Sequence, residues 1–277
     1  MQQYSIRSRL LLRNERYGGL SQPVSCHELL GILRSFNLLT GSGAKLTSGH
    51  PSSENYLARL PGKLSCTVNL PYRLAIFDID GTLLDSFAWF LTIVNAVAGK
   101  HRFRPIEADQ VEALRGKETR ELLKLLEVPL WKLPAIGRDM RALKASHLDD
   151  IALFPGVAAM LRELSARGVT LAIVSSDNEA NVRRALGKDN AVLIGHYACG
   201  ASLFGKAAKF RRVLKAAGMA AANVICIGDE VRDAEAARDA GIAFGAVTWG
   251  YATESALRAQ APAVVFSKME DIVAAFG

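Results

Sequence analysis

From Leu74 to Phe77 the chain reads Leu-Ala-Ile-Phe, an unbroken apolar run too short for a helix and closed soon after by Gly81-Thr82. Such a run predicts a short buried strand. The pattern returns at Val169 to Val174, Ala191 to Ile194, Val224 to Ile227 and Phe244 to Val247. Between these runs the period becomes helical. Val157, Met160, Leu161 and Leu164 share one face of a helix opened by Pro155-Gly156 and ended by Gly168. Phe210, Val213, Leu214 and Ala217 do the same over 207–217, and further helices are predicted over 179–186 and 231–240. Alternating strands and helices imply an α/β fold: a Rossmann-like parallel sheet with helices on both faces, three layers deep.

One interruption breaks the alternation, between Ser86 and Phe154. That stretch exceeds what one strand-to-strand crossover requires, and its apolar spacing predicts helices near 87–98, 107–114, 118–127 and 131–148. The expected organisation is a catalytic core over 71–86 and 150–277 with a helical insertion over 87–149. Because the insertion leaves and rejoins the chain beside the first strand's carboxyl end, it reads as a lid that excludes water; a purely structural bundle is the alternative.

Residues 1–70 differ in kind. They hold ten Ser and seven Gly, with eight Lys/Arg against three Asp/Glu. A helix over Glu28 to Leu39, using Leu29, Ile32, Leu33 and Phe36, is the one periodic element there; the rest is expected to be poorly ordered. The composition resembles an organellar transit peptide, with a disordered tail and an over-extended gene start as alternatives. This segment also carries most of the chain's net charge of +7. The excess therefore belongs to a solvated tail, and no basic stripe with interleaved aromatics suggests nucleic acid. No apolar run reaches the ~18–20 residues of a membrane-spanning helix. Cys26, Cys66, Cys199 and Cys226 form no CxxC pair, which argues against a zinc site or disulfide framework and fits a reducing cytoplasm.

The chemistry collects at strand ends. Asp78 and Asp80 follow the first strand, and strand alternation would aim both to one side, so something positive must offset them. Asp-x-Asp-Gly also opens a calcium-loop pattern, but Thr82-Leu83-Leu84 supplies none of the later oxygen ligands. Ser175-Ser176-Asp177 ends the second strand with hydroxyls and main-chain N–H groups suited to an oxyanion, although Ser and Asp there are also ordinary helix caps. Lys206, before the helix at 207, brings a cation toward the sheet edge, with Lys209 a rival one turn later. Asp229 and Asp233 follow the strand at 224–227, four apart, and are expected to share a helical face. In the insertion, Gly116 and Lys117 could touch substrate or form a solvated helix-breaking loop.

Taken together, Asp78-Ile79-Asp80-Gly81-Thr82, Ser175, Lys206 and Gly228-Asp229 through Asp233 resemble, in order and spacing, the four motifs of the haloacid dehalogenase-like superfamily. The resemblance covers roughly residues 72–277, and the helical insertion is similar to the small cap of phosphoglycolate phosphatase-like members. It implies a Mg²⁺-dependent phosphatase for a small phosphorylated metabolite, with no nucleic acid or membrane partner; the oligomeric state stays open. Asp78 would attack phosphorus as an already ionised nucleophile. Mg²⁺ would be held by Asp78, the main-chain carbonyl of Asp80, and Asp229, with Asp233 supporting the metal or orienting Lys206. Asp80 would act as acid and base. Ser175 and Lys206 would bind phosphoryl oxygens, with Gly81, Thr82, Ser176, Asp177, Gly116 and Lys117 as substrate contacts. Aspartate at position 80 resembles the phosphatases and phosphomutases rather than the dehalogenases. Departures from the family pattern are Ala207 where Pro is common and Asp177 where Asn is common. A phosphomutase, a non-catalytic phosphate-binding module and a receiver-type domain are the competing readings.

Overall fold

The structure is a computed structural model that describes residues 72–201 and 205–276, together with Arg9–Leu10 and Val24–Ser25, which pair antiparallel. The helix expected over Glu28 to Leu39 and the disorder expected across residues 1–70 lie outside the described residues.

Six strands make one sheet: β1 (Leu74–Phe77), β2 (Thr170–Val174), β3 (His196–Ala198), β4 (Val224–Gly228), β5 (Ala243–Val247) and β6 (Val264–Phe266). Their order is β3-β2-β1-β4-β5-β6, every neighbour parallel. All four residues of β1 are fully buried, which is why it reads as a continuous apolar run rather than an alternating one. Successive side chains enter opposite cores. Ala75 and Phe77 join Leu171, Ile173, Ile225 and Ile227 beneath α5 (Val157–Ala166), whereas Leu74 and Ile76 join Ala172, Val174 and Cys226. That second face is covered by α8 (Gly205–Ala217) and α9 (Val231–Ala240), through Phe210, Val213, Ala234 and Ala237. Each large side chain buried this way contributes about 1.5–3 kcal/mol, so helices on both faces follow from the composition of the strands.

The expected strand at Ala191 to Ile194 is not one. Ala191 closes α7 (Lys188–Ala191), and the N–H groups of Val192 and Leu193 donate to the carbonyls of Lys188 and Asn190 in helix and turn geometry. Val192 is 78% exposed, so the apolar run was not a signal of burial. The strand lies just beyond, at β3, where only Ala198 is fully buried, as befits a sheet edge. At the opposite edge, β6 and the helix Met269–Ala275 lie past the last element the pattern predicts.

Between β1 and β2 the chain forms α1 (Phe87–His101), α2 (Val111–Arg115), α3 (Thr119–Leu125) and α4 (Leu133–Ser146). Short 3₁₀ turns at Ala108–Gln110 and Leu130–Lys132 break the helices expected over 107–114 and 131–148, and Pro134 sits in the first turn of α4, where a missing N–H costs nothing.

Sheet order decides where a site can form. The chain steps outward from β1 through β2 to β3, then returns to the other side of β1 as β4. The carboxyl ends of β1 and β4 therefore flank the point where strand order reverses, the usual ligand crevice of open α/β sheets.

Candidate active site

Register brings the motifs together. Phe77 pairs with Ile173 on one side and Ile227 on the other, and the Asp78 N–H continues the ladder to the Ile227 carbonyl at 3.0 Å. Ser175 and Asp229 therefore end the strands on either side of Asp78. Asp78, Asp229 and Asp233 are buried, and each offers a carboxylate oxygen within 4.8 Å of the other two.

Three buried carboxylates need counter-charge, and Lys206 supplies part of it. Its Nζ lies 2.7 Å from Asp78 Oδ2, close enough for an ion pair but not aligned as a hydrogen bond, and it donates to Asp233 Oδ1. Burial opposes ionisation of Asp78, yet Lys206 and Arg232 together hold its carboxyl below the usual range. Lys206 is also buried, and Asp233 and Asp78 outweigh that burial to push its pKa up. Lys209 is placed differently, donating to the main-chain carbonyls of Ser175 and Gly200. Burial, then the Lys206 charge, brings it down to about 8. Of the two lysines, only Lys206 contacts the clustered acids.

Asp229 is the residue left in excess. Burial, followed by the charges of Glu230, Asp78 and Asp233, pushes it well above the carboxylate range. Its orientation is nonetheless fixed: Thr82 Oγ1 donates to Oδ1 at 2.6 Å and the Tyr251 N–H to Oδ2 at 2.8 Å. A Cβ at Gly81 (φ +77°) would lie 2.1 Å from Asp229 Oδ2, and one at Gly250 2.3 Å from the same oxygen, so both turns require glycine. A hard-oxygen cluster with surplus negative charge, locked in place by donors, fits a divalent cation such as Mg²⁺.

Asp229 and Asp233 do not share a helical face as expected. Asp229 follows β4, before α9 begins, and Asp233 is the third residue of that helix. There Asp233 accepts from the Glu230 N–H at 3.1 Å in a reciprocal cap, so one carboxylate starts the helix and faces Lys206.

Asp80 has a different partner. Lys144, near the end of α4, lies 2.6 Å from Asp80 Oδ1, 2.8 Å from Oδ2 and 3.1 Å from Asp177 Oδ2. Asp177, just before α6 (Glu179–Leu186), is in turn held by the Asn178 N–H and by Asn181 Nδ2, at 2.8 and 2.9 Å. The paired aspartates are therefore offset separately, Asp78 by Lys206 and Asp80 by Lys144. The sequence reading missed Lys144, but a signal exists: it extends the stripe Leu133, Ile136 and Met140 of α4, where spacing calls for another apolar residue.

A cavity of about 430 Å³ opens beside Asp80 and Lys144, walled by apolar side chains of the inserted helices, including Phe87, Phe90, Val94, Leu122 and Met140. Ser176 and Asp177 line its sheet side; Ser175 is buried behind them, its Oγ accepting from the Asp177 N–H at 3.1 Å. Thr82 is fully buried against Asp229 and so supports the cluster from behind. Lys117 lines the cavity but pairs with Glu121 at 2.6 Å, while Gly116 faces Thr253 outside it. Its neighbour Arg115 braces the inserted helices on the loop after β5, donating to the carbonyls of Tyr251 at 2.9 Å and Gly250 at 2.8 Å.

Residues 75–247 match the model of the haloacid dehalogenase-like hydrolase family. A phosphoglycolate phosphatase from Synechococcus elongatus is 30% identical over 72% of this chain and 95% of its own length. One from Xanthomonas campestris is 32% identical over 65% and 84%. The fold is shared with a haloacid dehalogenase-like hydrolase from Streptococcus pneumoniae (TM-score 0.64, 21% identity, 75% of this chain and 99% of that one). It is shared also with CbbY from Rhodobacter sphaeroides (TM-score 0.58, 17% identity, 72% and 95%), solved with phosphate. The chain belongs to the haloacid dehalogenase-like hydrolases. Within that family it is a phosphatase. Among the described residues no helix is long and apolar enough to cross a membrane.

Proposed function

We propose that the protein is a Mg²⁺-dependent phosphatase that hydrolyses a small phosphoglycolate-like monoester through an aspartyl-phosphate on Asp78. The observation that carries this is the environment of Asp78: a buried carboxylate at the switch point of the sheet, held below the usual range by Lys206 and Arg232 and lying beside two further buried acids.

Asp78, Asp229, Asp233 and the main-chain carbonyl of Asp80 would hold Mg²⁺, which when bound offsets the repulsion between the nucleophile and the phosphoryl anion. The remaining work falls to the chain itself. Asp78 donates an electron pair to phosphorus as the bond to the leaving oxygen breaks, and Asp80 gives that oxygen a proton. Water then attacks the aspartyl-phosphate, Asp80 takes its proton, and Asp78 departs as a carboxylate. Lys206 and the Ser175–Ser176 strand end bind the phosphoryl oxygens. The helices over 87–149 act as a cap, and their cavity takes the leaving group and excludes water. The phosphoglycolate-like substrate rests on the names of the relatives. The cytoplasm remains the proposed compartment, in keeping with the free thiols of Cys199 and Cys226.

The decisive assay is release of inorganic phosphate from phosphoglycolate and sugar phosphates with Mg²⁺, in the wild type and in Asp78→Asn. Turnover that falls to background in the variant supports the proposal; undiminished turnover removes Asp78 as nucleophile. Recovery of an isomeric phosphate ester in place of free phosphate would mark a mutase.

A further inference from the structure

We infer that Lys144 is a positioning residue: it aims the Asp80 carboxylate at the water that attacks the aspartyl-phosphate, and so governs the second half of the reaction. The inference rests on the proposed role of Asp80 and goes beyond it to a residue of the cap.

The geometry is specific. Among the described residues, the Asp80 carboxylate has one polar side-chain partner, Lys144, which donates a hydrogen bond to Oδ2 at 2.8 Å and stands 2.6 Å from Oδ1 as an ion pair. The lysine is itself braced. Its side chain is 7% exposed, and its third contact, Asp177 Oδ2 at 3.1 Å, belongs to a carboxylate already fixed by Asn178 and Asn181. The order of support thus runs from the start of the helix after β2, through Lys144, to Asp80. No other lysine or arginine of the inserted segment pairs with an acid at the carboxyl edge of the sheet, among the described residues. A flexible carboxylate held at both oxygens by a buried cation has its rotamer set by that cation, and a base displaced by about 1 Å loses much of its effect.

Phosphoryl transfer to Asp78 and hydrolysis of the aspartyl-phosphate depend on Asp80 differently. With p-nitrophenyl phosphate the leaving phenolate departs with little need of a proton, so the first half-reaction tolerates a misaimed Asp80. In the second, the water oxygen bonds to phosphorus, its proton passes to Asp80, and the Asp78–phosphorus bond breaks with its electrons returning to Asp78. That step requires the carboxylate in place.

The test is rapid-mixing kinetics of Lys144→Met with p-nitrophenyl phosphate and Mg²⁺. The steady rate is expected to fall on the order of 10- to 100-fold, up to the ~10²-fold that a misplacement of about 1 Å can cost. KM should fall along with kcat, leaving kcat/KM near its wild-type value, and a burst approaching one p-nitrophenolate per enzyme should appear as the phosphoenzyme accumulates. Lys144→Arg should restore part of the steady rate, because a cation again reaches Asp80. A variant within twofold of wild type, or one whose burst and steady rates fall together, overturns the inference. Should Lys144→Met fail to fold, Asp177→Asn takes its place: it loosens the brace while keeping the lysine, and a raised ratio of burst to steady rate is again the supporting result, an unchanged ratio the opposing one. Loss of Asp78 as nucleophile would show separately, as turnover persisting in Asp78→Asn.

Discussion

Asp78 and Asp80 stand two positions apart yet live in different electrostatic surroundings. Asp78 is buried against Lys206 and the metal-type cluster, and Asp80 is partly exposed at the cavity against a lysine 64 positions away. That separation suits two roles, since a nucleophile must stay ionised and a proton carrier must reach both leaving group and water. Lys206 is the residue whose removal should be felt most. Lys206→Met leaves Asp78 and Asp233 buried beside Asp229 with no ammonium between them, and truncating one side of a buried ion pair costs about 3–5 kcal/mol. Because the lysine is also proposed to meet phosphoryl oxygens, turnover should drop by on the order of 10²-fold or more. Thermal unfolding and steady-state kinetics on one preparation check both. Stability and activity unchanged from wild type would return the role to Lys209.

Elements, rather than single residues, explain where pattern reading succeeded. β1, β2, β4 and β5 are central, buried on both faces, and their apolar runs mark them to within a residue or so. Edge strands are half wet, so β3 and β6 carry a weaker signal, and the run at Ala191 to Ile194 drew the strand prediction away from His196–Ala198. The two placements predict different outcomes for one substitution. With Val192 exposed at the end of α7, Val192→Lys should change stability by no more than about 0.5 kcal/mol, as at other surface sites. In a buried strand the same charge would cost several kcal/mol. Denaturant unfolding of the single variant separates them.

For the molecule as a whole, the acid cluster, as the proposed metal site, is expected to link stability to metal and pH. Burial and neighbouring charges raise Asp229 above its unfolded pKa, so without metal the folded state binds more protons there than the unfolded chain does, and this group's contribution weakens as pH rises from the unfolded value through the folded one. A divalent cation competes with that proton. Mg²⁺ should therefore raise the unfolding temperature, and more at pH 8 than at pH 6. At a hundred times the dissociation constant the gain is about 2.7 kcal/mol, which corresponds to roughly 5–10 °C for a domain of this size. Calorimetry with and without EDTA at the two pH values reads it directly. A shift independent of pH, or none, would mean that the cluster does not exchange protons for metal.

The four central strands and the helices between them, the apolar cores on both faces of the sheet, and the order of Asp78-x-Asp80, Ser175, Lys206 and Asp229 along the chain are local properties. Each rests on side-chain spacing along a few residues, so the linear chain by itself determined them. Other features depend on residues that approach only when strands align and helices dock. Lys206 rather than Lys209 faces the acids because of how α8 packs against the sheet, and Thr82 and Tyr251 lock Asp229 from far along the chain. Lys144 reaches Asp80 because α4 returns to the sheet at the carboxyl end of β1. Pairings between distant side chains are set by register and packing, which no local periodicity encodes, and so the tertiary structure alone decided which cation each of the two aspartates meets.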